Sequence, residues 1–106
     1  MEFDKFRELA LAFKNVVEKP HFNRTSFRIN NKILATYDYK TKIAAVKLSL
    51  VNQDLYTLSN NDIVYPVPNK FGKQGWTFIN LNNVKVRLIK EILKSAYIEV
   101  TSKNKS

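Results

Sequence analysis

From Val84 to Val100 the apolar side chains fall at Val84, Leu88, Ile89, Ile92, Leu93, Ala96, Tyr97 and Val100. Steps of three and four residues place all of them on one side of an α-helix. Such a stripe is stable only when something covers it, because tertiary packing rather than propensity holds most helices together. The rest of the chain therefore has to supply an apolar surface, and a segment able to do so repeats at a different period. Between Lys42 and Ser49, Ala44, Val46 and Leu48 alternate with Ile43, Ala45 and Lys47. That two-residue repeat belongs to a strand with one covered face.

The remaining segments sort by the same test. Phe3, Phe6, Leu9, Ala10, Phe13, Val16 and Val17 keep helical spacing and predict a first helix from Glu2 to Glu18, with Pro20 as its stop. Thr25–Asn30 and Lys32–Tyr39 are rich in Phe, Ile, Thr and Tyr. Asn30-Asn31 between them tolerates left-handed geometry, so a hairpin is predicted. Asp38–Thr41 is predicted to turn that hairpin into the strand at Lys42–Ser49. Leu50–Leu58 reads as a short helix over the sheet, and Ile63–Val67 and Trp76–Leu81 read as two further strands. Asn82 or Asn83 is expected to cap the last helix. The order predicts an α+β fold, an antiparallel sheet of about five strands with helices at both ends and one in the middle. A single domain is expected over residues 1–100, with Thr101–Ser106 as a disordered polar tail.

Several function classes lack their residues. The chain has no cysteine, which removes disulfides, thiolate zinc sites and cysteine nucleophiles and fits a reducing, cytoplasmic setting. Its start, Met1-Glu2-Phe3-Asp4-Lys5, is unlike a secretory leader, and no apolar run is long enough to span a bilayer, so no membrane role is expected. His21 is the only histidine. With Glu18 it reads as a structural pair at a helix end, without the ligands or orienting groups of a metal or acid–base site. Nucleophile-elbow, phosphate-loop and dinucleotide motifs are missing. The expectation is a protein that is not an enzyme and uses no cofactor or metal.

Charge points instead to an anionic partner. The formal net charge is +9. Residues 1–69 hold ten basic and seven acidic side chains, net +3, and residues 70–106 hold eight and two, net +6. Tyr65–Trp76 gathers both glycines, two prolines, the only tryptophan and two lysines, and so predicts a shaped cationic loop. Candidate nucleic-acid contacts are Lys70 and Lys73 in that loop, Lys40 and Lys42 at a hairpin turn, and Arg87, Lys90 and Lys94, which share one helix face. Trp76 is expected to be a core ring whose loss unfolds the protein; with Tyr65 and Phe71 it is also a candidate for stacking on bases. The alternative partner is an acidic peptide or a small anionic ligand, anchored by His21, Arg28 and Trp76. Arg28 alternates with Phe27 and Ile29 and so faces the other way, and a partly enclosed guanidinium can grip a carboxylate.

Glu18-Lys19-Pro20-His21-Phe22, Ser26-Phe27-Arg28, Lys32-Ile33-Leu34-Ala35, Val46-Lys47-Leu48, Pro66-Val67-Pro68, Gly72-Lys73-Gln74-Gly75-Trp76 and the later Ala96-Tyr97 occur in that order. In order and spacing they resemble the MmcQ/YjbR-like family from the first helix to the chain end. Position 31 is asparagine where the family pattern has glycine. The resemblance implies a secretion-chaperone-like α+β fold and a small bacterial protein with a double-wing DNA-binding-like domain. Its wings would be the hairpin at Asn30-Asn31 or Asp38–Thr41 and the loop Lys70–Gly75, beside the C-terminal helix.

Overall fold

The structure is a computed structural model that describes residues 1–102. Its elements are α1 (Phe3–Leu11), β1 (Val17–His21), β2 (Arg24–Ile29), β3 (Lys32–Asp38), β4 (Ile43–Lys47), α2 (Leu50–Ser59), β5 (Val64–Pro66), β6 (Trp76–Asn80) and α3 (Val86–Thr101). The strands form one six-stranded sheet in the order β1-β2-β3-β4-β6-β5. Every pairing is antiparallel. The α+β class is as expected, with one strand more than the sequence suggested.

That strand comes from the end of the predicted first helix. The helix stops at Leu11, and Asn15, at φ 67°, takes the left-handed turn that reverses the chain. Val16 is buried and Val17 exposed, a two-residue alternation that their positions after Phe13 also let pass as helical. Pro20 lies inside β1, opposite Thr25. A proline is tolerated there because β1 is an edge strand with one side of its hydrogen-bond ladder open. Glu18 and His21 therefore sit on opposite faces of a strand rather than at a helix end. Glu18 accepts from Arg7 Nε of α1 at 2.6 Å.

Two other expectations are corrected locally. The turn Leu81–Asn83 is a separate 3-10 turn, and α3 starts at Val86 after Lys85, with no side-chain cap. Asn80 instead caps the 3-10 turn, accepting from the Asn82 backbone N–H at 3.0 Å. Of the expected tail, Thr101 belongs to α3 and donates to the Tyr97 carbonyl at 2.7 Å; residues 103–106 lie outside the described residues. The Asn30-Asn31 hairpin forms as predicted, both residues having positive φ, 52° and 65°.

All three helices cover the same face of the sheet. Phe6 of α1 packs against Phe27 and Tyr37, each with ring centroids 5.7 Å apart. Ile89, Ile92 and Leu93 of α3 join Leu34, Val46 and Ile79 in the core, all of them without solvent exposure. Phe13 stacks on Tyr97, whose hydroxyl donates to the Lys14 carbonyl at 2.9 Å, so the end of α1 is tied to α3. Tyr56 of α2 reaches Ser95 of α3 at 3.0 Å. Between Phe27 and Arg28 the register with β3 slips by one residue. That bulge lets consecutive Leu34 and Ala35 both be buried and turns Ile33 onto the other face. No helix among the described residues is long and apolar enough to cross a membrane.

Candidate functional site

Among the described residues no helix packs on the opposite face of the sheet. Strand alternation and register put Lys19 and His21 of β1 on it, beside Arg24, Ser26 and Arg28 of β2. Asp38, from β3, is the one carboxylate that the described strands turn to this side. Trp76 pairs with Lys47, and Phe78 pairs with Ala45 on one side and Tyr65 on the other, so the rings follow β6 along the same face. Tyr65 and Phe78 meet edge to face with centroids 5.8 Å apart.

The loop between β5 and β6 folds over part of this face, and its shape follows from its glycines. Gly75 has φ 103°, and a Cβ there would stand 1.9 Å from the Leu48 carbonyl oxygen. A Cβ on Gly72 would stand 1.9 Å from the Val67 carbonyl oxygen. Both positions need glycine because backbone passes against backbone. The buried Gln53 of α2 holds the loop from beneath, its Nε2 donating to Gly72 O at 3.0 Å, Trp76 O at 3.1 Å and Thr77 Oγ1 at 3.1 Å. Lys47 Nζ donates to Gln74 O. So anchored, Val67, Asn69 and Phe71 form one wall of a cleft of about 380 Å³ whose floor includes Ile33, Trp76 and Phe78. His21 and Arg24 close its far side.

His21 and Arg24 line the cationic end of the cleft, and Arg28, outside the lining, stands behind His21. Arg28 Nε donates to Ser26 Oγ at 2.9 Å and its Nη2 lies 3.5 Å from His21 Nδ1. Ser26 is fully buried and donates in turn to the Lys19 carbonyl at 2.8 Å. No carboxylate among the described residues lies within ion-pair distance of Arg28, whereas Arg24 has Asp38 at 3.9 Å. A guanidinium carries five N–H donors, so Arg28 keeps donors for an anion after these two bonds are made. The sequence reading had His21, Arg28 and Trp76 as anchors, and the fold puts all three on one face.

The residues expected to contact nucleic acid are spread more widely. Lys70 and Lys73 are exposed in the β5–β6 loop, with Lys70 Nζ 5.7 Å from the Phe71 ring centroid. Lys40 and Lys42 occupy the β3–β4 turn, at the opposite end of the sheet. Lys42 Nζ holds Glu2 at 2.7 Å; that bond and its charge lower the Glu2 pKa and raise that of Lys42. Arg87, Lys90 and Lys94 are exposed on α3, away from its buried Ile89, Ile92, Leu93 and Ala96, and so on the far side of the molecule from the cleft. Trp76 is half-buried on the open face and is not in the core beneath the helices, which corrects the expectation for it. Arg24, Lys19 and Phe78 were missed. Their alternation with buried neighbours was visible, but only the register shows that they share a face with Trp76.

The sequence matches the family model YjbR over residues 11–98. The chain belongs to the YjbR family. A crystal structure of the Deinococcus radiodurans protein DR2400, described as carrying a DUF419 domain, superposes on this YjbR protein with a TM-score of 0.82. The two are 18% identical, and the match covers 97% of this chain and 80% of that one. At that identity the likeness shows a shared fold. No curated protein matches the sequence. The matched residues span every strand of the YjbR domain, and with them both walls of the cleft.

Proposed function

We propose that this YjbR-family protein is a non-enzymatic nucleic-acid-binding protein. Its principal contact surface is the open sheet face with the adjoining β5–β6 loop, and its chief ligand class is DNA or RNA with exposed phosphates. The observation that carries this reading is Arg28, half-buried beside His21, with no carboxylate among the described residues at ion-pair distance, on a face that also presents Arg24, Trp76 and Phe78. Cations and aromatic rings on one sheet face suit a strand that offers both phosphates and bases. Lys70 and Lys73 on the loop and Lys40 at the β3–β4 turn extend the cationic surface at either end, as wings would. The net charge of +9 adds long-range attraction to any polyanion.

If about five of these cations reach phosphates, log K for a single strand falls against log salt with a slope of about −3 to −4. Fluorescence anisotropy of labelled single- and double-stranded DNA and RNA, titrated from low to physiological salt, measures it. A slope near zero, or no binding at low salt, overturns the proposal.

A second reading takes the same cleft as a site for an acidic peptide or a small anionic ligand, with Arg28 gripping a carboxylate. The cleft volume of about 380 Å³ favours it over an extended groove. A peptide or metabolite carried through purification, identified by mass spectrometry, would support it.

A further inference from the structure

We propose that the cleft beneath the β5–β6 loop takes one unpaired nucleotide, its base against Trp76 and Phe78 and its phosphate on the side of Arg24, Arg28 and His21. This rests on the nucleic-acid reading above and goes further, because it names the unit recognised and the side chains that read it.

Size is the first argument. A cavity of about 380 Å³ lies at the small end of ligand pockets, too small for a duplex and suited to a flat ring with its sugar. The bases of a duplex are stacked on one another, so their faces are unavailable to a side chain until a nucleotide is unpaired or extruded. Shape is the second. Phe71 on the loop wall and Trp76 and Phe78 on the floor give the cleft three rings. The loop wall is set in place before any ligand arrives, by Gln53 from beneath and by backbone packing at Gly72 and Gly75. Preorganisation of this kind lowers the ordering cost of binding.

Polarity is the third argument. The rings lie on β6 and the loop, while His21 and Arg24 come from β1 and β2 across the sheet, and Arg28 contacts His21. The site is apolar at one end, and at the other Arg24 and Arg28 outnumber the one carboxylate, Asp38 at 3.9 Å from Arg24, as a nucleotide is apolar at its base and anionic at its phosphate. The turn next to His21 adds a further ring. Phe22 is 94% exposed and sits at φ 60°, a conformation that costs a large side chain energy, and its ring meets His21 edge to face at 4.9 Å. An extended peptide would instead be expected to add to the edge strands β1 or β5, where unpaired backbone groups are available, rather than lie on this face.

Trp76 is the only tryptophan and lines the cleft, so tryptophan emission comes from a single ring on its floor. The test titrates the protein with adenosine and uridine, their monophosphates, a short oligothymidine and a blunt duplex. Tryptophan emission and anisotropy are followed together, with Trp76→Phe, Trp76→Ala and Arg28→Gln variants whose folding is checked by circular dichroism. Saturable emission changes are expected with the mononucleotides and the single strand but not with the duplex. Trp76→Ala weakens single-strand binding about tenfold or more, Trp76→Phe by less, and Arg28→Gln removes the preference for a nucleotide over its nucleoside. Anisotropy that shows polynucleotide binding while Trp76 emission stays unchanged overturns the cleft proposal and leaves the nucleic-acid reading standing. Loss of binding to every nucleic acid overturns both. A saturable response to an acidic peptide, with none to nucleotides, replaces the nucleotide by a carboxylate ligand.

Discussion

The open sheet face and the outer face of α3 are both cationic, yet they are built differently. On α3, Arg87, Lys90 and Lys94 are exposed side chains on the polar side of an amphipathic helix, with Glu91 among them. No ion pair among the described residues fixes their charged ends, and such charges are worth little wherever water competes. On the sheet, Arg28 is held by Ser26 and His21, Ser26 is itself buried, and the rings of β6 lie on the same face beyond β3 and β4. The difference teaches that cationic count and cationic site are separate properties. The first follows from composition, whereas the second needs partners that fix the geometry and leave donors unused.

The largest test breaks the sheet-face site outright. Gly75→Ala puts a Cβ at 1.9 Å from the Leu48 carbonyl oxygen in a backbone at φ 103°. The loop has to shift, and the expected cost is about 2–4 kcal/mol with loss of the cleft. Denaturant unfolding and Trp76 emission report the two effects separately. A variant of unchanged stability and emission would show that the loop does not shape the cleft.

A sharper comparison reverses two charges in each region. Lys70→Glu/Lys73→Glu and Lys90→Glu/Lys94→Glu change the net charge equally, so any difference between them reports location rather than overall attraction. The loop pair is expected to weaken nucleic-acid binding by about tenfold or more at moderate salt and to flatten the salt slope by about one to two, and the α3 pair by only a few-fold. Equal losses measured by anisotropy would give α3 a share of the interface and remove the contrast drawn here.

The smallest effect concerns Lys42, which differs from Arg28 in being occupied. Its bond to Glu2, and its charge, lower the Glu2 pKa from the ordinary glutamate value. With the folded-state value depressed, the contribution to stability is present above the ordinary value and is lost as pH falls through the folded one. Glu2→Gln should therefore be slightly less stable than the parent near neutrality and indistinguishable from it in strong acid, as followed by thermal unfolding across pH. A difference that persists in strong acid would assign the effect to something other than this ion pair.

Much of the fold was legible because the local signals were unambiguous. Asn30-Asn31 marked a turn needing positive φ at both positions, and both have it. Ser49 caps α2 by accepting from the Asn52 N–H at 3.1 Å, close to where the sequence placed that helix. The first helix was overextended because Phe13, Val16 and Val17 satisfy helical spacing while Val16 and Val17 also satisfy strand alternation. Pro20 was read as a stop although an edge strand can hold it. Trp76 was expected in the core because large rings usually are buried; no pattern in the chain says which face of a two-layer fold will lack a second layer.

Sequence by itself determined most helical and extended segments, Val17–His21 excepted, together with the antiparallel α+β class, the family and the cationic balance, since each depends on neighbours a few residues apart or on composition. Tertiary structure alone decided that the strand at Val17–His21 closes the sheet, that three helices share one face, and that His21, Arg28 and Trp76 share the other. Those outcomes depend on strand register and layer packing between residues far apart in the chain, where a shift of one residue would turn every side chain to the opposite face.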